Sequence, residues 1–203
     1  MAPLQPHVDR HAILGLEKQF HAYDVIGDAS WWVNLDEGTI VFGGELEMGA
    51  ALLGTEASGT WLWGWANPGG FPEPVIATGL AAYEYGSAQD LPALIEPESA
   101  LSEDVGLDRI GIVASGALGL QATYTGPLDE DARILVGLEH PLLELPPPDP
   151  ARTVTVLTTV LQSGFVSDWR VALDAYRAQR GDDALAGVEI EFDDRGRIRN
   201  LRA

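Results

Sequence analysis

The segment Thr60-Trp61-Leu62-Trp63-Gly64-Trp65-Ala66-Asn67 constrains this chain more than any other. Bulky indoles alternate with aliphatic or small residues at a period of two. That is the period of a β-strand, whose successive side chains point to opposite faces. A strand here would put Trp61, Trp63 and Trp65 on one face and Leu62, Gly64 and Ala66 on the other. Each indole can bury roughly 150–250 Å², so the three form a slab that calls for a covering layer. Three coverings are open. Helices can pack on the slab as core, with each indole N–H needing a partner. A ligand can stack on it, as sugars, bases, cations and apolar molecules do on aromatic faces. A protein partner can cover it, since Trp is enriched at interfaces. Under the ligand reading the site residues are Trp61, Trp63, Trp65 and Asn67. Under the bland reading Asn67 merely closes a turn before Pro68.

The surrounding pattern predicts an α+β fold, an antiparallel meander with helices packed on it. Residues 9–24 carry Ile13, Leu16, Phe20 and Tyr23 at helical spacing. This puts His7, His11 and His21 on the solvated side, and Gly27-Asp28 ends the helix. Ser30–Asp36, Thr39–Phe42 and Glu45–Leu53 read as short strands joined by turn-forming residues, with Glu45 and Glu47 facing solvent. The tryptophan strand is the fourth, and either Trp31 or Trp32 should share its indole face. Asn67-Pro68-Gly69-Gly70 breaks the sheet. Residues 73–87 and 103–118 then read as helices, and 121–125 with 133–138 as a hairpin.

Pro146-Pro147-Pro148-Asp149-Pro150 is a stiff, extended segment. It divides an acidic unit, residues 1–145, from a C-terminal module, residues 151–203, expected to pack against it. Thr153–Val160 is rich in β-branched residues and predicts a strand, despite helical spacing at Val154, Leu157 and Leu161. Ser167 can cap a helix to Arg180, with Trp169, Ala172, Leu173 and Tyr176 inward. Val188, Ile190 and Phe192 alternate with glutamates. A turn at Asp194-Arg195-Gly196 sets Phe192 opposite Ile198 and Glu191 opposite Arg199. The module is thus expected to be β-α-β-β.

Charge narrows the partners. The net charge is −19; residues 1–150 hold 23 carboxylates against 4 cations, whereas residues 151–203 hold 8 of each. Such a field repels nucleic acid and anionic membrane, and it speeds encounter with a basic protein. No run approaches the roughly 20 apolar residues of a membrane span. There are no cysteines, which removes disulfides, thiolate metal sites and cysteine nucleophiles. That fits a reducing, cytoplasmic setting, and Met1–Pro6 lacks the pattern of a secretory signal.

Catalytic motifs are missing. There is no phosphate-binding glycine loop, no Gly-x-Ser-x-Gly elbow, and a single lysine, Lys18. Ser115 in Ala114-Ser115-Gly116 reads as a small helix-packing residue. His7 and His11 share the i, i+4 spacing of a metal pair but lack further ligands. No metal and no cofactor is expected.

Leu53-Gly54-Thr55 followed by Thr60-Trp61-Leu62-Trp63-Gly64-Trp65-Ala66-Asn67 resembles the signature of a family of bacterial proteins classed as a domain of unknown function. The resemblance covers about residues 9–125. It implies a bacterial, cytoplasmic protein and transfers no activity. The expected function is a non-catalytic binding or interaction module, of immunity or accessory type, with a basic partner or a second copy. The alternative is a small-molecule binder or hydrolase-like enzyme with a tryptophan-lined pocket.

Overall fold

The computed structural model of the protein describes residues 3–203. It is α+β, and the predicted meander is present. After helix α1 (Gln5–Ile26), strands β1 (Trp31–Asn34), β2 (Thr39–Phe42), β3 (Leu46–Ala57) and β4 (Thr60–Trp63) pair in sequence, all antiparallel. The twelve-residue β3 is the pivot of a seven-stranded sheet. Gly49 lies opposite both Thr39 and Glu139, and Gly54 opposite both Trp63 and Leu135. A strand has two edges. One edge of β3 is therefore taken by β7 (Ala132–Glu139), and the other is shared by β2 near its start and β4 near its end. β7 continues to β6 (Ala122–Pro127), and β4 to the short β5 (Glu98–Ala100). A register slip between Leu52 and Gly54 marks a bulge where the two arms diverge.

The path β1-β2-β3-β7-β6 curls until its ends meet. Trp31 on β1 contacts Tyr124 on β6 edge-on at 5.4 Å, and Phe42 on β2 meets the same tyrosine at 5.0 Å. The curl encloses Ile40, Met48, Leu52, Ile134, Val136 and Leu138, with Ala22 from the end of α1 joining this cluster. A larger core lies between the sheet and the helices. Leu53, Trp61, Trp63 and Leu135 enter it from the strands. Helices α2 (Glu73–Gln89), α3 (Pro92–Ile95) and α4 (Leu107–Ala117) all contribute.

The residues after the prolines depart from expectation. Thr153–Val160 lies within helix α5 (Pro150–Ser163), so the C-terminal segment is α-α-β-β rather than β-α-β-β. The N-terminal signal outweighs the β-branched composition. Asp149 caps the helix by accepting the Arg152 N–H at 2.8 Å, and Pro150 fills the first helical position. Thr155, Thr158 and Thr159 donate their hydroxyls to carbonyls four residues back, which satisfies them within the helix. Thr153, Val156, Leu157 and Val160 form its buried face. Helix α6 (Trp169–Arg180) is capped by Asp168 rather than Ser167: its carboxylate accepts from the N–H groups of Arg170 and Val171. Strands β8 (Glu189–Phe192) and β9 (Ile198–Arg202) pair with Phe192 opposite Ile198, as predicted. A one-residue slip sets Glu191 opposite Asn200, although its side chain still reaches Arg199 at 3.3 Å.

Helix α1 is buried on more faces than its periodicity suggests. Tyr23, expected inside, is 59% exposed, while His7, expected in solvent, is buried and bonded through Nδ1 to the Tyr85 hydroxyl at 2.7 Å. His11 is half-buried over Gly116 and contacts Gln179 at 3.4 Å; His21 bonds the Leu142 carbonyl. α1 also buries two carboxylates. Glu17 accepts from the Tyr176 hydroxyl at 2.9 Å and from Arg180 Nε at 3.1 Å. Asp9 accepts from the Ser167 N–H and hydroxyl at 2.7 and 2.8 Å, and from Gln5. Burial beside Glu17 pushes the Tyr176 phenol above its ordinary range.

Two outcomes follow from this packing. Glu17→Ala leaves Arg180 half-caged without its anion, and should lower unfolding free energy by about 3–5 kcal/mol, read from urea denaturation. Burial holds the pKa of His7 and of His11 below the ordinary 6.5. Both rings are therefore neutral in the fold at pH values where the unfolded chain already takes up protons. Their contribution is complete above pH 6.5 and is lost as pH falls from there through the depressed folded values. A His7→Gln/His11→Gln variant should flatten the slope of urea midpoint against pH between pH 7.5 and 5.5, two values chosen to bracket roughly the ordinary histidine range.

Candidate functional site

The tryptophan segment does not stay a strand. β4 ends at Trp63, and Gly64–Ala66 form a three-residue 3-10 turn. Gly64 sits on Leu52, where a Cβ would come within 2.8 Å of Cγ, so the chain passes close over β3 and turns. The predicted slab of three indoles is divided as a result. Trp61 and Trp63 retain the shared face and meet edge-to-face at 5.3 Å, both with 0% of their surface exposed. Trp63 Nε1 donates to the Ala93 carbonyl at 3.2 Å; the Trp61 N–H has no acceptor among the described residues. These two are core. Trp61 lies over Gly54, whose lack of a side chain makes room for the ring.

Trp65 and Asn67 lie at the surface. Trp65 is half-buried and stacks edge-on against Tyr83 of α2 at 5.1 Å. The Asn67 side chain accepts the Gly69 N–H at 2.9 Å and shapes the turn, as the sequence suggests. Trp31 packs inside the curl, and Trp32 is 52% exposed on β1.

The helix beneath Trp65 carries the unusual feature. α2 buries Val75, Gly79, Ala82 and Gly86, spaced 4, 3 and 4 along one face. Those small residues let the helix come down onto the backbone of β3 between the two arms of the sheet. A Cβ at Gly79 would lie 3.4 Å from the Leu52 carbonyl oxygen and 3.6 Å from that of Leu53; at Gly86 it would meet the Leu94 side chain at 2.5 Å. Val75 and Tyr85 turn inward, whereas part of the helix's bulk is left outside. Leu80 is 37% exposed and Tyr83 41%, with exposed Ala77 and half-buried Ile76 beside them. Glu73 and Glu84 fall on the Ala77–Leu80 stripe at spacings of 4, 3 and 4, and bracket it. Apolar side chains of a surface helix ordinarily turn toward the core, yet α2 leaves Leu80 and Tyr83 exposed. No Lys or Arg occurs between residues 19 and 108, a stretch with 15 carboxylates. The surface is thus an apolar ridge within an anionic field. Sequence periodicity finds the helix but misses the ridge, because the inward demand for small residues reverses the usual assignment of bulk to core.

Among the described residues no group of three or more His, Cys, Asp or Glu is placed to hold a metal ion, and no helix is long and apolar enough to cross a membrane. Ser115 is buried in α4 and its hydroxyl has no partner among the described residues.

The fold and this surface define an α+β protein with a curled antiparallel sheet and an outward-facing apolar helix. Residues 5–141 match a family of unknown function, DUF6882, and the chain belongs to that family. No curated protein and no solved structure matches it.

The division of the tryptophans can be measured. Trp63→Ala should cost about 3–5 kcal/mol of unfolding free energy. Trp65→Ala should cost about 1–2 kcal/mol, with the urea transition remaining cooperative.

Proposed function

We propose that this is a binding module whose contact surface is the outer face of α2 with Trp65, and whose partner is a basic, amphipathic protein segment. The observation that carries this reading is the packing of α2, with Val75, Gly79, Ala82 and Gly86 inward and Leu80 and Tyr83 left exposed. Exposed apolar patches with a polar rim mark interaction sites, and aromatic side chains are the usual anchors. The rim here is Glu73 and Glu84, on a surface with no nearby cation in sequence. A helix presenting leucines toward the ridge and lysines or arginines toward its rim complements it in both respects. Self-association suits it less, since a symmetric contact would set Glu73 and Glu84 against their own copies between two chains of net charge −19. The proposal places the protein in the cytoplasm, where its lack of cysteines raises no redox question.

A synthetic amphipathic helix of alternating Leu and Lys faces is the direct probe, compared with a sequence-scrambled peptide of the same composition. The amphipathic peptide should bind more tightly than the scrambled one, and binding should weaken with salt. Leu80→Ser/Tyr83→Ser should lose at least tenfold in affinity, about 1.4 kcal/mol. Equal binding of both peptides, or no loss in the double variant, would refute the reading. A dimer in light scattering that the same variant dissolves would replace the basic partner with a second copy.

A further inference from the structure

A second site lies away from α2, in a groove of 370 Å³ between α1, α4, the β6 edge of the sheet and the end of α5. Its size falls within the range of small-molecule pockets, roughly 300–1,000 Å³. Leu16, Ile112, Leu135 and Phe165 give it apolar walls, and Gln19, Thr123 and Ser115 give it hydrogen-bonding groups.

Two independent observations point to a ligand. The first is glycine placement. Five glycines lie inside helices: Gly15, Gly79, Gly86, Gly111 and Gly116. Glycine destabilises a helix interior relative to alanine, so each calls for a reason. At Gly86 and Gly116 a Cβ would collide at 2.5 and 2.2 Å, and at Gly79 it would press on Trp65 at 3.3 Å. Gly15 and Gly111 have no such reason. A Cβ there would make ordinary contacts, no nearer than 3.7 and 3.5 Å, and neither residue has a positive φ. Both line the groove. One helical turn beyond each stands a polar lining residue, Gln19 after Gly15 and Ser115 after Gly111. Each helix thus opens the groove with a missing side chain and offers a polar group four residues on.

The second observation is Ser115 itself. It is 3% exposed, and its hydroxyl has no partner among the described residues, not even the carbonyl one turn back that the α5 threonines use. Buried hydroxyls are ordinarily satisfied. Gln19 and Thr123 meet only through a long 3.3 Å contact, so both keep capacity for a further bond.

We infer that this groove binds a small uncharged amphipathic molecule with an apolar body and a hydroxyl or carbonyl group, set against Ser115, Gln19 and Thr123. No Lys or Arg lines it, so an anion has no counter-charge there. Its one charged lining residue, Asp108, is exposed and solvated, so a cation would leave water for little return.

The test is a titration of ¹⁵N-labelled protein with 1-hexanol, and with hexanoate and hexylammonium as charged counterparts. Hexanol should give saturable shifts at the amides of Gly15, Gly111, Ser115 and Thr123, at least tenfold tighter than either charged molecule. Gly15→Ala/Gly111→Ala should raise the urea midpoint and abolish those shifts. Ser115→Ala removes an unpaired hydroxyl and should stay folded, while weakening hexanol about fivefold. The inference is overturned if no saturable shifts occur at these amides, if either charged molecule binds as tightly, or if both variants bind hexanol like the parent chain. Unfolding of the double alanine variant would also count against it, by showing that the glycines serve packing.

Discussion

The hydrogen-bonded burial of Glu17 and Asp9 on α1 holds the two ends of this chain together. A carboxylate inside a protein survives only with donors around it, and these two find most of theirs in residues 158 to 163 positions away by sequence. Glu17 is met by Tyr176 and Arg180, Asp9 by the backbone and side chain of Ser167. α6 and the segment that leads into it are thereby fixed against α1, and the apolar residues of α1, α5 and α6 join one cluster with Trp61, Trp63 and Leu135. Removing either set of donors would leave a charge stranded in that cluster. Such groups add less to stability than their removal would cost, and what they specify is the position of the C-terminal helices on α1.

The sheet imposes the second constraint. Because β2 and β4 share one edge of β3, the backbone between them is left to be covered by something that can approach it closely. α2 does this through Val75, Gly79, Ala82 and Gly86. Close approach requires small side chains, and a helix that spends its small residues on the inside presents its larger ones outside. The exposed ridge of Leu80 and Tyr83 is therefore linked to the split in the sheet. Between α1 and α4 the helical glycines behave differently: an added Cβ at Gly15 or Gly111 would make only ordinary contacts, and both residues line the groove.

Much of the scaffold is legible in the sequence because it depends on local signals. β2 falls on its predicted residues, the β6–β7 and β8–β9 hairpins lie where their turns and alternation put them, α2 forms over the residues read as a helix, and α6 follows its periodicity. The departures arise where distant contacts decide. Eight mostly β-branched residues from Thr153 become helix because Asp149 and Pro150 start one and α1 supplies a surface for its apolar face. His7 is buried because Tyr85 reaches it from α2. The period of two at Trp61, Trp63 and Trp65 holds for the first two only, since Gly64 lets the chain turn over Leu52. Of the four residues singled out by the sequence, Trp61 and Trp63 belong to the core, Trp65 meets Tyr83 beside the α2 ridge, and Asn67 shapes the turn that follows. Leu80 and Tyr83 escape sequence reading because apolar residues on a helix are ordinarily assigned inward.

The central claim is that the α2 ridge is covered by a cationic partner where the protein works. Hydroxyl-radical footprinting of Tyr83 and Trp65, in the purified protein and inside cells expressing it at native level, tests this most directly. Both should oxidise readily in the purified protein. In cells both should be protected, and lysis into high salt should restore their reactivity. Equal reactivity in all three conditions would contradict it.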